Sequence, residues 1–124
     1  MSGERRPAHD DQSHTLRLDV DPLDADRFVL TAVGPLDLHT APEFSDTLQP
    51  LLRDGDHRVM VDLSRVEFID STGLTSLIAA YRTTRTTGAR LALIAPSERV
   101  RAMLALTGTD QVLPSYATVH AVPD

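Results

Sequence analysis

Two hydroxyl groups and a carboxylate stand together in the segment Asp70-Ser71-Thr72-Gly73. The apolar side chains that follow recur at the spacing of an amphipathic helix that ends before Gly88. They are Leu74, Leu77, Ile78 and Tyr81. Ser71 therefore lies at a helix start, where free amides and the positive end of the helix dipole accommodate a phosphate without unfolding anything. From the local sequence alone, an ordinary N-cap is the simpler interpretation of Ser71.

Asp70 and Gly73 flank these two hydroxyl groups. Asp70 either caps the helix or orients the Ser71 hydroxyl, and capping is the simpler role because it needs only the local backbone. Gly73 is unfavourable inside a helix by up to about 1 kcal/mol. Because glycine has no side chain, we interpret Gly73 as leaving room for a partner to approach Ser71.

The same segment partly matches the nucleophile elbow G-x-S-x-G, but Ile69 occupies the position of the first glycine. His39 and Asp37 could supply a base, yet the five histidines are scattered along the chain, and ordinary surface roles explain them. The chain has no cysteine, no H-x-x-x-H, no P-loop and no G-x-G-x-x-G. We therefore predict no catalytic residue, metal or cofactor, and a small serine hydrolase is only a distant alternative.

Composition narrows the remaining functions. A chain of 124 residues with 41% hydrophobic and 24% charged residues fits one soluble domain. A formal net charge of −6 disfavours direct binding to nucleic acid or anionic lipid, since both need a basic face. The absence of cysteine and of an apolar run of membrane-spanning length predicts a cytoplasmic protein. Residues 1–14 lack large aliphatic side chains, which predicts a disordered tail.

The first half of the domain alternates in the manner of strands. Apolar and polar residues alternate over Thr15–Val20, and Asp21-Pro22 ends this run. A second β-rich run, Arg27–Val33, pairs with the first as an antiparallel hairpin and ends at Gly34-Pro35. Thr40-Ala41-Pro42-Glu43 has the form of a capping box, which predicts that a helix begins there.

The second half alternates strands with helices. Strands are predicted at Val59–Leu63 and Leu91–Ala95, and a helix is predicted from Pro96-Ser97 to Gly108. Val112-Leu113 is predicted as a last short strand and Tyr116–Val122 as a terminal helical turn. This alternation implies right-handed crossovers. The predicted fold is α/β, with a mixed, mostly parallel sheet, one antiparallel edge hairpin and helices packed on it.

Three segments carry a family resemblance. Val61–Ser64 (VDLS) and Phe68–Leu74 (FIDSTGL) resemble the signature of STAS-domain anti-sigma factor antagonists, and Gly34–Asp37 (GPLD) resembles an upstream element of that family. The similarity in pattern extends from about Thr15 to Val122. It implies a single STAS domain over residues 15–124.

The resemblance also implies a function. By position, Ser71 matches the serine that an anti-sigma factor with ATP-dependent serine kinase activity phosphorylates, and Thr72 is the alternative acceptor. The unmodified protein would bind that anti-sigma factor and release a sigma factor, and a phosphatase acting on Ser71 would reverse the modification. The partner brings the ATP site, so the resemblance implies no cofactor here. A non-switching STAS adaptor in a lipid-transport or stress-sensing complex is the alternative.

The expected partner-binding residues lie around Ser71. Asp37 follows Gly34-Pro35 in a loop that folding could bring near the Ser71 end of the sheet, although a turn aspartate is the simpler interpretation. The exposed side of the helix after Ser71 borders the partner in the family. The predicted partner-binding residues are Asp37, Asp70, Ser71, Thr72, Gly73, Leu74, Thr75 and Arg82.

Overall fold

The computed structural model describes residues 15–123, which form five strands and three α-helices. The strands are β1 (Arg17–Pro22), β2 (Arg27–Val33), β3 (Arg58–Arg65), β4 (Arg90–Ile94) and β5 (Ser115–Tyr116). The helices are α1 (Ala41–Leu51), α2 (Ser71–Thr87) and α3 (Glu98–Thr107). Short 3₁₀ turns occupy Thr109–Gln111 and Val119–Ala121. The tail predicted for residues 1–14 lies outside the described residues.

The five strands form one sheet in the order β1-β2-β3-β4-β5. β1 pairs antiparallel with β2, and each later pair of neighbours is parallel. The helices make the crossovers between successive parallel strands, as parallel pairing requires. The predicted α/β fold, with a mostly parallel sheet and an antiparallel edge hairpin, is confirmed. At the edges, β5 has only 2 residues, and every residue of β1 except Leu18 is exposed.

All three helices pack on one face of the sheet. Side chains alternate between the faces along a strand, so Val61 of β3 points to one face and Met60 to the other. Val61 belongs to the main core, in which Phe44 of α1, Leu77 of α2 and Val100 of α3 are each 0% exposed. Burial of these aliphatic and aromatic side chains holds the helices to the sheet.

The opposite face of the sheet carries a smaller apolar cluster. It consists of Met60, Ala92 and Ile94, none more than 6% exposed. The C-terminal segment covers this cluster through Tyr116, Val119 and Val122. β4 is therefore buried on both faces, as its almost wholly apolar sequence predicts.

The start of α1 differs from the predicted capping box. Thr40 is the N-cap residue, but its side chain does not cap the helix. Its hydroxyl donates to the Pro35 carbonyl at 2.8 Å and accepts from the Asp37 amide at 2.9 Å. The hydroxyl instead links Pro35 and Asp37, two residues of the loop that precedes the helix. Only the early proline, Pro42, acts as predicted.

The last strand lies later in the chain than predicted. Val112 ends a 3₁₀ turn, and β5 begins at Ser115 rather than at Val112. Leu113 is 1% exposed and belongs to the main core. Its apolar character therefore reflects packing in the main core rather than strand pairing. At the other edge, β1 continues through Pro22, which still pairs in register with β2.

The ends of two helices agree with the sequence signals. α2 ends at Gly88 and α3 at Gly108, both in the left-handed conformation, with φ of 88° and 76°. α2 is the longest helix, with 17 residues. Within residues 15–123, no helix is both long enough and apolar enough to cross a membrane.

Ala95 supports a prediction about backbone strain. Its φ is 47°, a left-handed conformation that costs a residue with a Cβ roughly 1–2 kcal/mol. We expect Ala95→Gly to leave the free energy of unfolding unchanged or to raise it by up to about 1 kcal/mol, because the relief of strain equals or exceeds the added entropy of the unfolded chain. The control Ala79→Gly, exposed in the middle of α2, should lower it by about 1 kcal/mol. Urea denaturation measures both, and equal losses would contradict strain at Ala95.

Candidate functional site

Two loops meet at the carboxyl ends of β2 and β3. Leu36 in the loop after β2 forms a bridge with Ile69 in the loop after β3. The Leu36 amide donates to the Phe68 carbonyl at 2.9 Å, and the Asp70 amide donates to the Leu36 carbonyl at 3.3 Å. The two loops are therefore held side by side. The GPLD and FIDSTGL segments, which are far apart in the sequence, come together here.

The Asp70 carboxylate joins both loops to α2. Its Oδ1 accepts a hydrogen bond from the Gly73 amide at 2.9 Å, and its Oδ2 accepts one from the Leu38 amide at 3.0 Å. The Asp70 backbone is extended, as is typical of an N-cap. The predicted capping role of Asp70 is confirmed. The bond to Leu38 has no signature in the sequence, because it depends on a fold that brings residues 38 and 70 together.

Ser71 is the first residue of α2, and it is exposed. Its hydroxyl makes no hydrogen bond to any other residue between 15 and 123. The first amide of α2 that bonds back along the helix is that of Leu74, which donates to the Asp70 carbonyl at 3.0 Å. The amides of Ser71 and Thr72 precede it, at the positive end of the helix dipole. A solvent-facing hydroxyl thus lies where a negative charge is tolerated.

The predicted site residues along α2 differ in exposure. Thr72 is half-buried, whereas Thr75 and Arg82 are exposed. Thr75 lies one turn beyond Ser71 and donates its hydroxyl to the Ser71 carbonyl at 2.8 Å. Arg82 lies about 16 Å along the helix axis from Ser71, given a rise of 1.5 Å per residue. The polar surface nearest to Ser71 on this helix is therefore that of Thr75.

Gly73 faces the interior of the domain rather than a partner. A Cβ at this position would lie 2.2 Å from the Leu36 carbonyl oxygen, so only glycine lets α2 approach the loop this closely. The interpretation of Gly73 as room for a partner is wrong, because internal packing fills that space. Leu74 is 7% exposed and belongs to the main core. Both residues thus lie behind the surface that they were expected to form.

Asp37 is 8% exposed and organises the loop after β2. Its Oδ1 accepts hydrogen bonds from the His39 amide at 2.9 Å and the Thr40 amide at 3.1 Å. These bonds are those of a turn aspartate, the simpler of the two interpretations from the sequence. The loop does lie at the Ser71 end of the sheet. Asp37 therefore shapes this end of the sheet while its own carboxylate is turned inward.

Two large apolar side chains near the start of α2 are exposed, Leu38 by 62% and Phe68 by 46%. We call them the apolar pair. Leu38 is held by its bond to Asp70, and Phe68 is held by its bond from Leu36. Exposed apolar side chains on a fixed backbone favour protein binding. Neither residue is among the predicted site residues. Leu38 stands between the polar residues Asp37 and His39, which was an available signal, whereas Phe68 is followed by the apolar Ile69 and gives no such signal.

The described residues do not assemble a nucleophilic or metal site. No base is hydrogen-bonded to the Ser71 hydroxyl among residues 15–123. Asp37 and Asp70 accept bonds from backbone amides instead. The same stretch of chain contains no group of three or more histidine, aspartate or glutamate side chains that could hold a metal ion. The arrangement offers the exposed Ser71 hydroxyl together with the exposed side chains of the apolar pair.

The protein is thus a small α/β domain in which the capped start of a helix lies at the carboxyl edge of the sheet. The family model of the STAS domain matches residues 17–122. Because the match extends over most of the chain, the protein belongs to the STAS domain family. The resemblance noted from the sequence is confirmed.

Individual relatives give the comparison more detail. An anti-sigma-B factor antagonist of Staphylococcus epidermidis is 29% identical over 99 residues, which cover 79% of this chain and 92% of that protein. The crystal structure of an anti-sigma factor antagonist from Mycobacterium paratuberculosis is 27% identical to this chain and superposes on it with a TM-score of 0.75. The match covers 86% of this chain and 89% of that chain. The unphosphorylated anti-sigma factor antagonist SpoIIAA shares the fold, with 19% identity and a TM-score of 0.71. That match covers 85% of this chain and 92% of SpoIIAA.

Gly73 supports a prediction about close packing. In Gly73→Ala the new methyl group would lie 2.2 Å from the Leu36 carbonyl oxygen, so the loop or the helix must shift. We expect the free energy of unfolding to fall by about 1–3 kcal/mol, the usual cost of overpacking. The control Ser71→Ala, two residues earlier and exposed, should change it by less than about 0.5 kcal/mol. A Gly73→Ala variant as stable in urea as the wild type would contradict the close approach.

Proposed function

We propose that this protein is an anti-sigma factor antagonist that is switched by phosphorylation of Ser71. The unmodified form binds an anti-sigma factor with serine kinase activity in the cytoplasm, and the anti-sigma factor releases its sigma factor. Phosphorylation of Ser71 ends the binding, and a phosphatase restores it. The observation that carries the proposal is the exposed Ser71 hydroxyl at the first position of α2. The names of the staphylococcal and mycobacterial relatives support it.

In the proposed phosphoryl transfer this chain supplies only the attacking hydroxyl. The Ser71 Oγ attacks the γ-phosphorus of ATP held by the kinase, and a new O–P bond forms as the bond to the β–γ bridging oxygen breaks. ADP leaves, and the hydroxyl proton passes to a base of the kinase. Because the exposed Oγ has no hydrogen bond to another described residue, it can enter the kinase site without first breaking one. The chain acts as a protein substrate and a binding partner rather than as an enzyme.

The added charge explains how binding would end. A phosphate adds about −1.5 to −2 charge near pH 7, and it would stand beside the Asp70 carboxylate. A partner that covers the apolar pair would also cover Ser71, because Leu38 and Ser71 are both held next to Asp70. Removing an unpaired dianion from water is costly. Binding therefore weakens, while α2 keeps its cap and the fold is unchanged.

The remaining site residues divide by exposure. Ser71 is the proposed acceptor rather than Thr72, which is half-buried. Thr75 and Arg82 are proposed as direct contacts, since both lie exposed on α2. The proposed roles of the more buried residues are to position the surface. These residues are Asp37, Asp70, Gly73 and Leu74.

Phosphorylation provides the direct test. Incubation with the cognate kinase and ATP should add one phosphate to the wild type, and fragment mass spectrometry should locate it on Ser71. Thr72→Ala should be modified as fully as the wild type, whereas Ser71→Ala should not be modified at all. Modification that persists in Ser71→Ala would contradict the assignment of the acceptor.

Binding measurements complete this test. Ser71→Ala should bind the anti-sigma factor as the wild type does and should stay bound when ATP is added. Ser71→Glu should bind at least about tenfold more weakly, because it carries part of the phosphate's charge. If Ser71 is never phosphorylated and Ser71→Glu binds normally, the non-switching adaptor becomes the better assignment.

The apolar pair leads to a separate prediction. Leu38→Ala and Phe68→Ala should each weaken binding to the anti-sigma factor about tenfold or more, because each removes apolar area from the centre of the proposed interface. Leu106→Ala is the matched control, since Leu106 is 84% exposed on α3 outside the two loops of the site. Calorimetry with purified partner measures all three. Equal effects of Leu38→Ala and Leu106→Ala would place the interface elsewhere.

A further inference from the structure

Residues 114–123 lie against the sheet face that carries no helix, and we call them the C-terminal strap. The Leu93 amide of β4 donates to the Pro114 carbonyl of the strap at 2.9 Å. The Ala95 amide, directly after β4, donates to the Tyr116 carbonyl at 2.8 Å. β5 lies within the strap and pairs with β4 over two residues. Because most strands are 3–10 residues long, so short a pairing gives the strap little stability of its own.

The apolar contacts of the strap are also incomplete. Three of its side chains pack on the small apolar cluster of Met60, Ala92 and Ile94, and each of the three is half-buried. They are Tyr116, Val119 and Val122. A cavity of about 190 Å³ opens between the strap and the sheet, with Met60, Ala92 and Tyr116 in its wall. Side chains around such a space lack part of the dispersion attraction of a packed core.

The main core is held together more strongly than the strap. Each helix contributes a fully buried side chain to it, as Phe44 of α1 and Leu77 of α2 show. Leu113 belongs to the same core and fixes the chain just before the strap. Regions with few buried apolar contacts open at a lower free energy than the core does. The strap can therefore leave the sheet at a cost well below that of global unfolding.

We propose that the C-terminal strap detaches from the sheet as a unit while the main core and the three helices stay folded. Leu113 is the fixed point, and Pro114 is the first residue that moves. Met60, Ala92 and Ile94 then lose their cover, so the open form presents an apolar sheet face on the side opposite to the helices. The strap is thus a hinged cover over a second surface of the domain. This inference does not rest on the proposed function.

The test is native-state hydrogen exchange of the full chain, followed by NMR at increasing urea concentrations below the unfolding transition. The amides of Leu93 and Ala95 bond to the strap, and we call them the strap-facing amides. Those of Ala92 and Ile94 point to β3, as that of Arg90 does, because alternate amides of a strand point to the same neighbour. These are the β3-facing amides.

The two pairs of amides should exchange by different routes. After correction for intrinsic rates, we expect the strap-facing amides to exchange at least about 100-fold faster than the β3-facing amides. Their exchange should depend little on urea, because opening the strap exposes little surface. Exchange of the β3-facing amides should rise steeply with urea, since it requires global unfolding.

Variants separate opening of the strap from global unfolding. Phe44→Leu weakens the main core, so it should speed exchange of the β3-facing amides about tenfold and leave the strap-facing amides unchanged. Val122→Ala weakens the strap, so it should speed exchange of the strap-facing amides about threefold or more. The matched control Val112→Ala replaces a valine that is 47% exposed just before the strap, and it should not change the strap-facing amides.

Several results would overturn the proposal. Equal rates and equal urea dependence for the two pairs of amides would mean that strap and core unfold together. The same conclusion follows if Phe44→Leu speeds both pairs equally, and the urea dependence of the wild type decides the matter if that variant does not fold. Fast exchange of the strap-facing amides that Val122→Ala leaves unchanged would come from fraying of β5 alone. Phosphorylation of Ser71 is measured separately, so failure here leaves the proposed function untouched.

Discussion

The Asp70 carboxylate accepts two backbone hydrogen bonds from two different elements, and the geometry of the whole site depends on that sharing. One oxygen satisfies the Gly73 amide in the first turn of α2, and the other satisfies the Leu38 amide in the loop after β2. Without the carboxylate, both amides would lose partners, at roughly 1–3 kcal/mol for each that stays buried. Because one anion serves both elements, Ser71 and the apolar pair keep fixed positions relative to each other. A partner that contacts both therefore meets a preorganised surface, which reduces the entropy lost on binding.

The interior supports this surface through close contact as well as through the hydrogen bonds of the two loops. Gly73 lets the backbone of α2 come against the Leu36 carbonyl, and Leu74 immediately follows it into the main core. One turn of helix thus carries an exposed hydroxyl on one side and core packing on the other. A modification of Ser71 changes the surface charge without entering the core. The residues that stabilise the domain and the residue that would carry the signal are adjacent in sequence and yet separated in their physical roles.

Much of this arrangement was predictable because it follows from periodicity and from local backbone signals. The stripe after Ser71 predicted α2, and the glycines at 88 and 108 predicted the ends of α2 and α3, since both effects act within a few residues. Contacts between distant segments were not predictable. Thr40 bonds to the loop before its helix instead of capping it, and Leu113 is apolar because it packs in the core rather than in a strand. The reason for Gly73 likewise lies 37 positions earlier, at Leu36, and becomes visible only when the two loops are side by side.

The two outer strands of the sheet limit how this protein can associate. Exposed strand edges invite another chain to extend the sheet, and natural domains discourage this with short strands, charges and proline. β5 is only 2 residues long, and β1 intersperses Arg17, Asp19 and Asp21 along its length before it ends in Pro22. Neither edge offers a long neutral template, so self-assembly by strand addition is disfavoured even at high concentration. A domain of this kind can stay free of other copies of itself between successive binding events. Partners are then recognised by loops and helix ends, and a partner can dissociate from these without disturbing the sheet.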